Sequence, residues 1–316
     1  MTYIYIESLF VHISFLMFFF ATSPNSTNLF YEFDKLTNLS KRSMTIAFLR
    51  TTGFMLARWF QTKHLPLSNP YESPIFSSWS FSLLYVISKF VNQNGLLGAI
   101  AAPGAMPTHA FATSGLPEEM RQSTPLVPAS QSHWSMTHVS TTSSSHATLS
   151  CGSSLAISLP SVFHNEVNKY FVSDSSHNYR GRICLLNAGN PQKQIDVRSP
   201  LYLLSPNSRK CQLVNRLDRW VCQIISLGFS FLTVGILSGA VWANEARGSY
   251  RSWDPKETWA LVTRSIYATY LHTRVTKRWT GEGSAVAAST GFSLVRICFL
   301  GVNLLGVGLH NYGWLI

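Results

Sequence analysis

Apolar residues gather along this chain into stretches of helix length, separated by polar connections that hold most of the lysines and arginines. A hydrocarbon core about 30 Å thick takes roughly 20 residues of α-helix. That ruler finds spans at residues 4–21, 44–60, 73–90, 96–112, 138–163, 221–243, 258–272 and 287–309. The fourth carries Pro103 and Pro107, and the fifth is crowded with Ser and Thr. The pattern predicts an all-α integral membrane protein of about eight transmembrane helices, about four of them in residues 1–137 and the others in 138–316. The first stretch has no basic leader and no small-residue cleavage site, so it reads as a retained span and not a removable signal peptide. No internal repeat is visible.

Between the fifth and sixth spans, residues 165–219 are rich in Asn, Ser, Lys and Arg and lack sustained apolar periodicity, which predicts a poorly ordered loop. Its basic residues, Lys169, Arg180, Arg182, Lys193, Arg198, Arg209, Lys210, Arg216 and Arg219, lie two spans away from Arg274, Lys277 and Arg278. Both groups therefore face one side, and the positive-inside rule makes that side the cytoplasm-like one, with Lys35, Lys41 and Arg42. The opposite side receives both termini, the loop at His64, residues 113–137 and residues 244–257.

Composition sharpens this picture. The chain is 46% hydrophobic and only 12% charged, about half the charge of an ordinary soluble domain. Its mean hydropathy of +0.10 is nevertheless low for so many spans, because Ser, Thr, Pro and Arg interrupt them. A net charge of +11 raises nucleic-acid binding, but the cations are spread through loops and form no single patch, which excludes that class. Cys151, Cys184, Cys211, Cys222 and Cys298 form no C-x-x-C pair, no zinc spacing and no C-x-x-C-H site, so the chain is neither a c-type cytochrome nor a thiol oxidoreductase.

The densest chemistry lies in residues 239–259, where Trp242, Arg247, Arg251, Trp253, Asp254, Lys256 and Trp259 crowd a connection between two spans. Aromatic faces stack on a planar macrocycle, and Lys256 or an arginine can pair with its carboxylates. The same residues also fit an interfacial aromatic belt with a helix starting at Asp254-Pro255, where Asp caps and Pro occupies the first turn. Histidines supply the second signal, because neutral imidazoles ligate haem iron axially. His138 opens the fifth span and His310 closes the eighth, both on the side of the tryptophan loop, whereas His272 ends the seventh span on the other side. For any one of them an interfacial hydrogen-bonding role is the plainer reading; the shared side of His138, His310 and the loop argues for more.

The runs Gly235–Ala246, Trp253–Trp259, Tyr270–Arg274 and Gly301–Gly306, with weaker stretches at Phe111–Leu116, Tyr71–Ser73 and His12–Phe15, resemble the plastid-encoded CcsA family of haem-handling proteins. The resemblance covers nearly all of the chain except the variable polar loop. It implies a multi-pass thylakoid protein with its basic loops in the stroma and a WWD-type loop in the lumen. It further implies action with a ResB-like membrane partner, delivering reduced haem to the C-x-x-C-H motif of apocytochromes c. By that likeness His138 and His310 are the external iron ligands, the loop holds the haem edge, and His272 is an intramembrane histidine serving haem in transit. The thioether bonds form between haem vinyls and the substrate's cysteines, so presentation and orientation are expected of this chain, which has no nucleophile of its own to contribute. Two other classes stay open: a haem or solute transporter whose loop is only an exit, and an accessory membrane subunit without a ligand.

The chain departs from the family pattern at Arg247, Arg251, Arg264 and Arg296, where tryptophan is usual. It also departs at Pro70, Pro74, Ser77, Ser130, Ser135, Ser150 and Ser154 (leucine), at Thr137, Thr141 and Thr142 (methionine), and at His146 (tyrosine). Arg264 and Arg296 fall inside spans, where a charge costs about 2.5–3.5 kcal/mol on insertion scales. Every one of these differences is a single C-to-U change in a codon, which points to an organelle transcript edited after transcription. A decaying pseudogene and a true variant whose arginines bind haem carboxylates are the competing explanations.

Overall fold

The computed structural model describes residues 2–28, 34–67, 69, 71–91, 96–116, 121, 131–173, 206–276 and 282–298. Among them are eight helices: α1 (Thr2–Asn28), α2 (Asp34–Thr62), α3 (Glu72–Val91), α4 (Leu96–Ser114), α5 (His133–Ser173), α6 (Pro206–Arg247), α7 (Pro255–Thr276) and α8 (Glu282–Arg296). Each contains the apolar stretch expected there, except that the end of the last stretch, with His310, lies outside the described residues. One helical segment, Leu217–Arg247, is long and apolar enough to cross a membrane by itself, and Glu7–Ser23 is a shorter apolar helix.

Two boundaries need correction. Residues 165–173 and 206–219, expected in the polar loop, continue α5 and α6 as helix, because extending an established helix adds a backbone hydrogen bond for each residue fixed, whatever the side chain's polarity. The connection expected at 244–257 shrinks in the same way: α6 runs to Arg247 and α7 begins at Pro255, leaving residues 248–254 between them.

The helices form two groups. In the first, α1 packs on α2 and α4, and α3 on α2 and α4; in the second, α6 and α8 pack on α5, and α7 on α6 and α8. α5 also touches α3 and α4, joining the groups through a core of Phe18, Met44, Phe81, Tyr85, Ala101, Ala147 and Cys151. Several buried polar residues of the first group pair across its helices. Arg58 is buried between Glu7, at 2.7 Å, and Glu72, at 3.0 Å, and also donates to the Arg121 carbonyl at 2.8 Å. Buried His109 ties α4 to Ser14 of α1 and Ser78 of α3, at 2.9 and 3.0 Å.

Among the described residues the α5–α6 contact is the most extensive. A methyl group on Gly152 would meet Ile225 at 2.7 Å, one on Gly228 would meet Thr148 at 2.7 Å, one on Gly235 Thr142 at 2.6 Å, and one on Gly239 His138 at 2.5 Å. As α5 descends from His138 to Gly152, α6 rises from Ile225 to Gly239, an antiparallel register held by small residues. Missing side chains let two backbones approach within van der Waals range, the usual device for helix contact in lipid.

Candidate functional site

The site is built where this close-packed pair ends. Gly239 leaves a notch in α6 that the His138 ring fills, and Gly235, one turn earlier, leaves a second that Thr142 fills. His138 Nδ1 lies 2.7 Å from the Gly235 carbonyl. A carbonyl only accepts, so Nδ1 carries the proton and Nε2 is the basic nitrogen, the arrangement of a histidine prepared to ligate a metal. Trp242, on the next turn of α6, stacks on the imidazole with centroids 6.4 Å apart and planes within 17°. Lower on α5, His146 donates Nδ1–H to the Thr142 carbonyl at 2.6 Å.

α6 stops at a left-handed residue: Gly248 has φ +73° and its N–H returns to the Asn244 carbonyl at 2.8 Å. The connection is then tied by its own charges. Arg247 donates to Glu257 at 3.2 Å and to Ser252 Oγ at 2.7 Å, while the Ser252 N–H donates to Glu257 Oε2 at 3.1 Å. Buried Asp254 precedes Pro255, and its carbonyl accepts the Thr258 N–H at 3.0 Å, the helix start expected from sequence. Trp253 adopts φ +57° and stands 70% exposed, with the Arg251 guanidinium 4.1 Å from its ring. Burial pushes the Lys256 ammonium below its ordinary pKa, against the opposing pull of Cys298 and Asp254. Across the site, Ser132 just before α5 donates to Glu245 of α6 at 2.8 Å.

A basic imidazole nitrogen, two tryptophans and a cluster of cations at one end of a helix pair form a face suited to a flat, anionic, metal-bearing ligand. Residues 67–310, which include this whole face, match the family described as cytochrome c assembly protein. The chain belongs to that family. Proteins titled cytochrome c biogenesis protein CcsA are similar over the full length of both chains: 59% identical over 315 residues in Adiantum capillus-veneris and 47% over 320 in Marchantia polymorpha. The one from Pinus thunbergii is 49% identical over 319 residues, covering 100% of this chain and 99% of its own. Among solved structures, the cytochrome c haem lyase CcmF superposes with a TM-score of 0.60 at 13% identity, over 98% of this chain and 51% of CcmF. This chain thus spans about half the length of that structure, and the likeness is one of fold.

In this cytochrome c assembly protein the expected site residues separate into groups. His138, Trp242, Arg247, Arg251, Trp253, Asp254 and Lys256 gather at one end of α5, α6 and α7. Trp242 belongs to the helix and not the loop. His272 is exposed near the far end of α7, about 27 Å from Asp254 by helical rise, so the structure does not bring it to the loop. His310 lies outside the described residues. Sequence reasoning missed Gly235, Gly239, Ser132 and Glu245, which position His138 and the end of α6. The glycine spacing was visible, but its partner helix was not. It also missed the ion pair of Arg274 with Asp218, at 3.1 and 2.9 Å, which clamps α7 to α6 at the opposite end.

Proposed function

We propose that this protein is a system II type cytochrome c biogenesis factor that presents haem, on the lumenal side of the chloroplast thylakoid membrane, for covalent attachment to apocytochromes c. A role in cytochrome c maturation follows from the family; the sidedness, the eight-span topology and the ResB-like membrane partner are our reading, supported by the distribution of basic loops and the even alternation of helices. The observation that carries the reading is the His138 hydrogen bond to Gly235, which makes Nε2 the basic nitrogen beside Trp242. When bound, haem supplies the iron to be ligated and the vinyl groups that react with the substrate's cysteines. His138 and His310 are proposed as its axial ligands, Trp242 and Trp253 as the flat walls at its edge, and Arg247, Asp254 and Lys256 as the frame that fixes the loop. His272 is proposed to serve haem at the opposite face.

The four arginines set apart by sequence differ in surroundings. Arg247 donates to both Glu257 and Ser252. Among the described residues Arg264 reaches Thr233 Oγ1, at 3.4 Å, above Phe229, and Arg296 lies over Phe292 at 5.2 Å. Neither makes an ion pair among the described residues. A cation so weakly compensated within a span supports codon editing to tryptophan at Arg264 and Arg296, and transcript sequencing checks it: a messenger still reading arginine at both positions removes the proposal.

The test of function is purification with the membrane partner and a haem spectrum, with His138 and His310 substituted in turn. Loss of the bis-histidine signature and of holocytochrome formation, restored by added imidazole, is expected. Normal holocytochrome yield without His138, with haem depleted from the lumen by loss of the protein, would instead make the protein a transporter.

A further inference from the structure

The arginines of this fold keep two kinds of company. Arg58 donates to Glu7 and Glu72, Arg247 to Glu257 and Arg274 to Asp218, while Arg121 donates to the Leu116 carbonyl. Arg50, Arg251, Arg264 and Arg296 instead lie over aromatic rings, those of Phe10, Trp253, Phe229 and Phe292, at 5.4, 4.1, 5.8 and 5.2 Å. The last three are positions that the sequence set apart as departures from the family pattern; Arg50 is the one it did not. The place of Arg50 in α2 makes it the same kind of residue. Toward one end of α2, Arg58 meets Glu7 of α1 at 2.7 Å; toward the other, Ser40 donates to the Ala21 carbonyl at 3.2 Å. Arg50 falls between these contacts, about 12 Å of helical rise from Arg58 and about 15 Å from Ser40, inside the apolar stretch 44–60. A guanidinium carries five N–H donors, and a ring face attracts its charge but gives those donors no oxygen to bond. Among the described residues the Arg50 side chain has no ion pair and no hydrogen bond. The Phe10 ring lies 3.5 Å from where a methyl on Gly53 would sit, so it is packed against this stretch of α2. An uncharged side chain at position 50 completes that contact without a cation in the span.

We propose that codon 50 is a further C-to-U editing position, and that the protein made from the edited messenger carries cysteine or tryptophan against Phe10. These are the two sense outcomes when the first base of a CGN arginine codon changes: CGU and CGC give cysteine, CGG gives tryptophan. The step is hydrolytic deamination at C4 of one cytosine, water entering and ammonia leaving, so the substrate is the messenger RNA and the agent a cytidine deaminase. The proposal rests on the editing reading given for Arg264 and Arg296 and carries it into the first group of helices. Arg58, two turns along the same helix, is excluded from it because two carboxylates are built around that cation.

The experiment reads gene and transcript from the same tissue across codons 50, 58, 264 and 296, and digests the protein purified from that tissue with trypsin, which cuts after arginine. The gene is expected to read CGU, CGC or CGG at codon 50 and the transcript UGU, UGC or UGG, with codon 58 unchanged. The tryptic cut after residue 50 is expected to be lost from the protein, and the peptide spanning it to carry the mass of cysteine or tryptophan. A transcript that still reads arginine at codon 50 overturns the proposal. So does a gene that reads AGA or AGG there, which offers no cytosine to change, or CGA, which would become a stop. A protein cut by trypsin after residue 50 does the same. Arginine retained at 50 beside tryptophan at 264 and 296 removes only this inference; arginine retained at all three removes the editing reading with it.

Discussion

Placing a methyl group on Gly239 tests the core of the site, because the added carbon would lie 2.5 Å from His138 Nδ1 and 2.7 Å from Cε1. Ordinary carbon contacts sit near 3.5–4.0 Å, so the ring must retreat by about 1 Å. The 2.7 Å bond to Gly235 would then exceed the distance at which it counts as a hydrogen bond. Overpacking costs about 1–3 kcal/mol and the lost bond about 0.5–1.5 kcal/mol, against a gain of roughly 0.5–1 kcal/mol for replacing glycine in a helix. The clash wins, and Gly239→Ala is expected to lose about 1–3 kcal/mol. Gly235→Ala is the matched control: its methyl meets Thr142 at 2.6 Å and not the histidine. Thermal unfolding in detergent should fall for both, while the axial-histidine haem spectrum and holocytochrome yield should fall steeply for Gly239→Ala only. Equal spectra from the two variants would refute the claim that this notch sets the imidazole.

Further outcomes follow from other parts of the fold. Arg58→Gln leaves Glu7 and Glu72 buried without their shared cation, and about 3–5 kcal/mol of stability should disappear in a denaturation series, with Arg58→Lys recovering part of it. Tyr71, between α2 and α3, is pushed up to about 12 by burial. Since the folded chain holds this proton where the unfolded chain, near 10, releases it, stability should decline by about 2–3 kcal/mol as pH rises from 10 to 12 and stay level on this account below 10. A Tyr71→Phe protein should lack that part of the alkaline decline. Asp218→Asn weakens the clamp on Arg274 and is expected to raise proteolytic cutting or hydrogen exchange at the far ends of α6 and α7 while leaving the His138 spectrum in place.

Helix positions were legible because each apolar run is long enough to form several helical turns, a constraint that acts on residue type and not on partner. Helix ends were less so. The polar ends of α5 and α6 extend as helix beyond any apolar window, and nothing in their composition distinguishes a solvated helix from a loop. Asp254-Pro255 announced the start of α7 through local capping chemistry alone. The notch around His138, by contrast, depends on which two helices meet and in what register, and a glycine shows that a close approach occurs without naming what approaches. The charge ring of Arg247, Ser252 and Glu257 was hidden for a similar reason: its members were counted as separate cations and acids until the turn at Gly248 folded one onto another.

The seam between α5 and α6 has a mechanical meaning beyond packing. Its contacts, from Gly152 against Ile225 to Gly239 against His138, are spaced along about 21 Å of axis and mesh like the teeth of a rack. Sliding either helix by a single residue drives backbone into side chain at every tooth together, so the pair translates and tilts as one bar. The histidine on one helix and the tryptophan on the other are therefore held in one register by the seam that joins them.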